Sequence, residues 1–418
     1  MVNHRESAGY WDYAHDQKIW GYLLTVPIQK VLDGRVPVKI WTEDVEESAQ
    51  QQLLNVANLP FVCHHVAAMP DVHGGKGSTV GTVIATKEAL LVAAIGSDIG
   101  CGVAMVELNY KIDQLEGKHL QLRHSIERSV PTGRDSHKKI VDIVLDWPRW
   151  ADFEKLHSAI QGQKDRALKQ MGTLGGGNHL YEVCYNTEGY ICLLLHSGSR
   201  HIGKAIADAY IETSYQLMQD FFISLPEKEL SFIPKSHPAF KAYWHDCQWA
   251  QDYARANRDL MIQLGMKDLS HILGLGGAPL DIRSQINCHH NYIEWDNFRG
   301  ENIMITRKGA IRAKQDELGI VLGSMGAPSY VFKGKGNPEA FYSAPHGAGR
   351  RMSRTKARAT FTVQDLIEQT KGIESRKDEA IVDEIPSAYK PIAEVMNNAS
   401  DLCDVVTELR QVICIKGG

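Results

Sequence analysis

The sequence contains no run of about 18 apolar residues, which excludes a transmembrane helix. Its start, Met1-Val2-Asn3-His4-Arg5-Glu6, lacks the apolar core of a secretory signal, so a cytoplasmic protein with no membrane partner is expected. None of the eight cysteines forms a CxxC pair, which argues against a zinc ribbon, and their dispersal argues against a disulfide framework. Most therefore read as reduced, buried small hydrophobes. Neither the Walker pattern nor the Rossmann glycine fingerprint occurs, so any nucleotide must be held by another geometry. There is no excess of one charge: 46 Lys and Arg stand against 50 Asp and Glu, a net charge of −4. That balance excludes a general nucleic-acid coat but allows a local basic groove. The densest basic stretch, Arg350, Arg351, Arg354, Lys356 and Arg358, reads equally as a solvated helix face. Internal repeats, low-complexity linkers and a coiled-coil seam are all missing, and a monomer is the expectation.

What is present is an ordinary globular composition, 43% hydrophobic and 23% charged. Residues 1–60 combine an amphipathic start with a strand at Pro37-Val38-Lys39-Ile40-Trp41. Apolar segments from Ser78 to Ser97 alternate with glycine and read as strands that deliver a loop at Asp98. Ile191-Cys192-Leu193-Leu194-Leu195 reads as a buried strand delivering His196. Helices are expected over 152–171, Gly203 to Phe222, Ala239 to Leu264, Val363 to Lys371 and Tyr389 to Arg410, with a polar connection from Pro226 to Pro238. Strands and turns are expected from Ile303 to Tyr330. Helix and strand mix without a regular βαβ cycle, so the fold class expected is α+β, one large catalytic unit spanning 1–418 with mixed sheets and helices around a central cleft.

Glycine gathers where chemistry-bearing residues stand. Five clusters recur: Ser97-Asp98-Ile99-Gly100-Cys101-Gly102, Gly177-Asn178-His179, His196-Ser197-Gly198-Ser199-Arg200, Cys288-His289-His290-Asn291 and His346-Gly347-Ala348-Gly349-Arg350. Asp98 and Cys101 are i and i+3 in a glycine-rich turn, so both can face one cavity with mixed hard and soft ligation. With His179, His196 and either His289 or His290, they make a donor set large enough for two adjacent metals, which can clamp both oxygens of a phosphoryl displacement. A single histidine beside glycine is more often a hydrogen-bonded turn or core residue, and His64, His65, His73 and His201 compete with these. The HGAGR loop offers a nucleophilic imidazole beside permissive backbone amides and an arginine fork for phosphate. Gly323-Ser324-Met325-Gly326 and Thr173-Leu174-Gly175-Gly176-Gly177 are further glycine loops. In Pro70-Asp71-Val72-His73-Gly74-Gly75-Lys76-Gly77, Asp71 or His73 reads as an acid or base, or as a turn cap.

Taken together, PDVHGGKG, SDIGCG, GTLGGGNHLYEV, HSGSR, CHHN, GSMGA and HGAGRRMSR resemble the RtcB family of RNA ligases, bacterial branch. VDEIPSAYK (382–390) and LRQVICIKG (409–417) fit as well, and the likeness runs from about residue 60 to the end. The resemblance implies an RNA repair or tRNA-splicing enzyme that joins a 3′-phosphate or 2′,3′-cyclic phosphate to a 5′-hydroxyl. GTP would be the co-substrate and two Mn2+ ions the metals, with an activator protein as a further partner. By motif, Asp98, Cys101, His179, His196 and His290 become the metal ligands, which selects His290 over His289. His346 becomes the nucleophile that carries GMP. Asn178, Glu182, Asn291, Ser324, Ser329, Gly347, Ala348, Gly349, Tyr389 and Lys416 become the guanylate pocket, with Glu182 at the guanine edge. Arg200 and Arg350 become RNA phosphate candidates, grouped with Asp71.

The implied chemistry runs in steps. Water opens any cyclic phosphate, His346 takes GMP from GTP, GMP passes to the RNA 3′-phosphate, and the 5′-hydroxyl attacks as GMP leaves. Beside a dication the Cys101 thiol should be a thiolate, and zinc, favoured by a cysteine and histidine set, should inhibit. Two residues depart from the family pattern. Pro345 precedes the nucleophile where serine is common, which predicts a shifted loop and slower guanylation. Ser97 replaces an apolar residue beside Asp98. A metal-dependent RNA phosphoesterase would need the metal cluster without His346 or Lys416, and a noncatalytic RNA scaffold would tolerate loss of ligands; neither loss is seen.

Overall fold

Period-two apolar segments dominate the chain from Val62 onward, and in a computed structural model that describes residues 27–417 they build two main sheets. The six-stranded sheet runs Lys30–Leu32, Val38–Ile40, Val62–His73, Val80–Thr86, Glu301–Lys308, Asn291–Phe298. Its pairings are antiparallel except Val38–Ile40 against Val62–His73. The main path of the second sheet runs Ile282–His289, Gly102–Lys111, Tyr190–Ser197, Leu180–Tyr185, Cys403–Lys416, Ser329–Gly334, Leu318–Val321, and Glu374–Ser375 pairs in parallel with its C-terminal strand. The mixture of long helices and largely antiparallel sheets is α+β, as the sequence reading expects. Among the described residues no helix is long and apolar enough to cross a membrane.

The junction between the sheets positions the site. Ile282–His289 belongs to one sheet and Asn291–Phe298 to the other, so His290 is the single residue at the crossing. Within the second sheet, Gly102 lies opposite both Ser197 and His289, and Leu180 opposite His196. The ends of four adjacent strands therefore meet at one level of the sheet, and each is preceded or ended by a metal-capable side chain.

Behind them lies the helix Pro238–Ile272, whose buried face includes Trp249, Tyr253, Asn257, Arg258 and Met261. Trp249 and Tyr253 stack at 5.5 Å and meet Trp147 and Trp150 edge-on, which anchors the helix by aromatic packing. Arg258, with no exposed surface, donates to Gly100 O (2.8 Å), Ser197 O (3.0 Å) and Asn287 Oδ1 (2.8 Å). Asn257 Oδ1 accepts from Gly172 N (2.7 Å), and its Nδ2 donates to Gly198 O (3.1 Å). One helix thus satisfies four backbone groups in three site loops that would otherwise be buried and unpaired.

Several sequence expectations need correction. Tyr389 to Arg410 is not one helix: only Ile392–Asn398 is helical, and Cys403–Lys416 is a central strand. The β-branched Val405, Val406 and Thr407 suit a pleated surface, and two flanking strands claim its hydrogen bonds. The 152–171 helix resolves into 3-10 turns, Pro148–Lys155 and Ser158–Gln163, with α-helix only at Lys164–Gln170. The polar connection contains a short strand, Phe232–Pro234, paired with Ala89–Leu91. The expected helices near Gly203 and Ala239 are longer, Arg200–Asp220 and Pro238–Ile272. The strand at residues 37–41 is seen as Val38–Ile40, and the amphipathic start expected before it falls largely outside the described residues.

Candidate active site

A cavity of about 250 Å³ opens where these loops meet. Asp98, Cys101, His196 and His290 line one part of it, and His179 lies directly behind them. The His179 ring donates from Nδ1 to Leu174 O (2.9 Å), and its Nε2 lies 3.0 Å from Asp98 Oδ2. His196 Nδ1 faces Asn178 O (3.3 Å) in the same way, and its Nε2 lies 3.2 Å from Cys101 Sγ and 2.9 Å from His290 Nε2. Cys101 Sγ is also 3.5 Å from His179 Nε2. Backbone carbonyls that fix histidine tautomers are how proteins aim imidazoles at metals.

The electrostatics agree with a donor cluster. Burial holds His196 and His290 well below their ordinary pKa, so both rings are neutral and keep their lone pairs. Burial raises the Asp98 carboxyl, but the His179 hydrogen bond and charge outweigh it and leave a net lowering. Burial and the Asp98 charge push the Cys101 thiol well up, a penalty that a bound dication would reverse. His290 Nδ1 is buried with no hydrogen-bond partner. Three imidazoles, a thiol and a carboxylate crowded within hydrogen-bond distance, with one ring nitrogen left without a partner, are a donor set that fits a metal ion. Gly198 makes the close approach possible: a Cβ there would stand 2.2 Å from Asp98 Oδ1.

His346 occupies the same cavity. Its ring stacks on His290 at 4.6 Å between centroids and 15° between planes. Its Nδ1 sits 2.6 Å from Asp71 Oδ2, short but without hydrogen-bond alignment, and Asp71 has no exposed surface. The same carboxylate accepts from His346 N and Gly347 N, each at 3.3 Å. With Nδ1 against Asp71, Nε2 is the nitrogen on the far side of the ring. Gly349, at φ +69°, passes so close to Asp71 O that a Cβ would lie 2.3 Å away. Pro345 ends a short strand opposite Ala310, whose N–H goes to His290 O, so the missing proline donor leaves that pairing intact.

The remaining expected residues divide into two groups. Asn178, Asn291, Ser324, Gly347, Ala348, Gly349, Arg350, Tyr389 and Lys416 line the cavity. Asn291 Oδ1 accepts from Gly309 N (2.8 Å), which ties it to the loop beside His346. Lys416 Nζ donates to Glu384 Oε2 (2.9 Å), Tyr389 OH to the same oxygen (2.7 Å), and Arg350 Nη1 to Tyr389 OH (3.1 Å). Ser329, Glu182, Asp71 and Arg200 do not line the cavity. Ser329 Oγ accepts from Gly323 N (3.0 Å) and braces the GSMG loop. Glu182 lies deeper, 3.4 Å from Cys414 Sγ, with its carboxyl pushed up by burial to about 7. Arg200 donates to Thr173 Oγ1 (3.0 Å) and Gly133 O (3.1 Å), so its fork is spent on loops.

His289 also turns away, with Nδ1 2.8 Å from Gly100 O and Arg258 Nη2 at 3.1 Å. The basic stretch is an ion-pair network: Arg350 and Arg354 reach Glu384, and Arg354 and Arg358 reach Asp383. Sequence reasoning missed Lys308, which lines the cavity and which burial lowers to about 8, and the buried Asp383-Glu384 pair. The acidic pair carried a signal in VDEIPSAYK, while Lys308 sits in no polar cluster.

A family model described as "tRNA-splicing ligase RtcB" matches residues 52–417. The RNA-splicing ligase RtcB of Escherichia coli K12 is 42% identical over 398 residues, covering 91% of this chain and 97% of its own length. The RNA-splicing ligase RtcB of Mycobacterium tuberculosis is 30% identical over 440 residues, covering 88% of this chain and 100% of its own. The tRNA-splicing ligase RtcB of Nanoarchaeum equitans is 26% identical over 477 residues.

Proposed function

The chain belongs to the RtcB family and is an RNA ligase, and from that premise we propose that it joins RNA 3′-phosphate or 2′,3′-cyclic phosphate ends to 5′-hydroxyl ends through a GMP-carrying His346. The observation that carries the reading is the Asp71-His346 pair, held at 2.6 Å beside the Cys101, His179 and His196 cluster that Asp98 and His290 adjoin. Asp98, Cys101, His179, His196 and His290 would hold manganese, and a divalent metal at such a site supplies neutralisation of charge on phosphoryl oxygens.

A proton on His346 Nδ1, the nitrogen turned to Asp71 at 2.6 Å, would leave Nε2 as the attacking lone pair, the arrangement a buried carboxylate gives a catalytic imidazole. Nε2 forms a bond to the α-phosphorus of GTP and pyrophosphate leaves. An oxygen of the RNA 3′-phosphate then displaces His346 and takes the GMP. The 5′-hydroxyl attacks the RNA phosphorus and expels GMP, giving up its proton. Stacking on His290 fixes the ring through both nitrogen transfers. Lys416, Tyr389, Ser324 and Asn178 surround the space left for the nucleotide. Glu182 is read as the guanine contact and Ser329 as support for Ser324.

A phosphoesterase without ligation is not favoured, because the family match over residues 52–417 is to RNA-splicing ligases. The chain is further read as one catalytic unit, active as a monomer in the cytoplasm, with an activator protein as a further partner. The test is intact mass after incubation with GTP and manganese, beside His346→Ala. A GMP-sized adduct on wild type alone is expected. An adduct that survives in His346→Ala would overturn the assignment of the nucleophile.

A further inference from the structure

The loop Thr132–Lys139 has no part in the chemistry above, yet it packs on the glycine loop that runs beside His179 and the strand end carrying Lys416. Gly133 N donates to Gly175 O (2.8 Å), and Thr132 bridges Gly175 in parallel. Gly175 abuts Arg200 and the His179 ring, and the terminal Lys416-Gly417 passes beside it, since a Cβ on Gly417 would meet Gly175 O. His137 secures the far side of the loop: its N donates to Lys169 O (3.0 Å) and its Nε2 lies 3.0 Å from Gly172 O. The backbone is therefore pinned at both ends.

On this pinned backbone Arg134, Lys138 and Lys139 are exposed, and Arg166 is exposed on the neighbouring helix Lys164–Gln170. None of the four has an ion pair or a hydrogen-bonded side chain among the described residues. Arg350, Arg354 and Arg358, by contrast, are all matched to Asp383 or Glu384. One anion, Asp135, interrupts the stretch. In a chain of net charge −4, a local excess of unmatched cations beside the loops of an RNA-joining site is placed for phosphates.

We propose that Arg134, Lys138 and Lys139, with Arg166 beside them, form a track that grips the phosphate backbone of the single-stranded RNA end as it enters the site. The inference rests on the RNA-ligase reading and adds a place where affinity is set without touching the reacting atoms. A rigid loop suits the task, because less ordering is needed when the strand binds.

The test is the triple variant R134E/K138E/K139E, with a fluorescently labelled oligoribonucleotide ending in a 3′-phosphate titrated across a salt series. At about 0.7 in log-log slope per single-strand phosphate contact, the salt slope should fall by about 2 and the Kd should rise at least about tenfold at moderate salt. The GMP adduct of the variant should equal that of wild type. An unchanged Kd and slope with the adduct intact overturns the proposal. So does a variant that loses its adduct while wild type keeps it, since the loop would then act on site geometry. A wild type that forms no adduct bears on the ligase mechanism alone, because RNA affinity is read independently.

Discussion

In one part of the cavity, Asp98, Cys101, His179, His196 and His290 crowd metal-capable atoms within 2.9–3.2 Å of a neighbour. In the other, Lys416, Arg350 and Arg354 are each already matched to Glu384, whose carboxylate also accepts from Tyr389. The first arrangement is unsatisfied without a metal. The second is self-sufficient and must exchange internal partners for a nucleotide's phosphates. The difference teaches where each ligand's charge is needed: positive charge has to be imported to the donors, while negative charge competes with carboxylates the protein already holds.

His346 joins the two parts, through its ring on His290 and through its following loop to Arg350, and Asp71 is the carboxylate that faces its Nδ1. The largest effect is therefore expected from Asp71→Asn. Losing the carboxylate frees the imidazole to take the wrong tautomer, and the guanylation rate should drop by about 100- to 1,000-fold, within the range for positioned proton-holding groups. Bound manganese, measured by elemental analysis, should stay at the wild-type level because Asp71 lies outside the donor set. Guanylation at the wild-type rate would show that Asp71 serves only the turn.

Glu384→Gln separates the parts by stability. Lys416 and Glu384 are 4% and 3% exposed, and removing one partner of such a pair typically costs about 3–5 kcal/mol. Burial raises the Glu384 carboxyl, but Lys416, Arg354 and the Tyr389 hydrogen bond pull it below its ordinary value. A depressed carboxylate contributes stability above its unfolded pKa and loses it as pH falls through the folded one. The Tm deficit of Glu384→Gln should thus be full near neutrality and shrink in acid. A chelator should lower the Tm of metal-loaded wild type and variant by similar amounts. A deficit that vanishes on chelation would mean the two parts are one coupled unit.

The donors were readable because cysteine, aspartate and histidine beside glycine have few structural uses, and the structure does bring all five together. Choosing His290 over His289 needed the family pattern; in the structure His289 closes one strand facing Gly100 and Arg258, while His290 lies beside His196. Asp71 as the partner of His346 was not readable, since 275 residues separate them and a carboxylate before Val-His-Gly looks like a turn cap. Ser329 and Arg200 stood in motifs that do meet at the site, yet each spends its side chain holding a neighbouring loop. The Cys403–Lys416 strand was misread because its interior alternation is weak; its place between two other strands, a tertiary fact, settles it.

Glu182 sharpens the comparison most finely, because it borders the charged part through Lys416 yet is enclosed by the thiols of Cys184 and Cys414. Burial pushes its carboxyl to about 7, with the Lys416 charge pulling only partly back. A folded pKa raised above the unfolded one gives stability that is full below the unfolded value and lost as pH rises through the folded value. Wild type should therefore lose stability between about pH 4.5 and about 7 relative to Glu182→Gln, which cannot ionise. If the carboxylate accepts from the guanine edge, GTP should favour the ionised form. The Tm increment from GTP should then be larger at alkaline than at mildly acidic pH in wild type, and flat in Glu182→Gln. Parallel increments in the two proteins would remove Glu182 from the nucleotide site and leave it as a buried acid of the sheet.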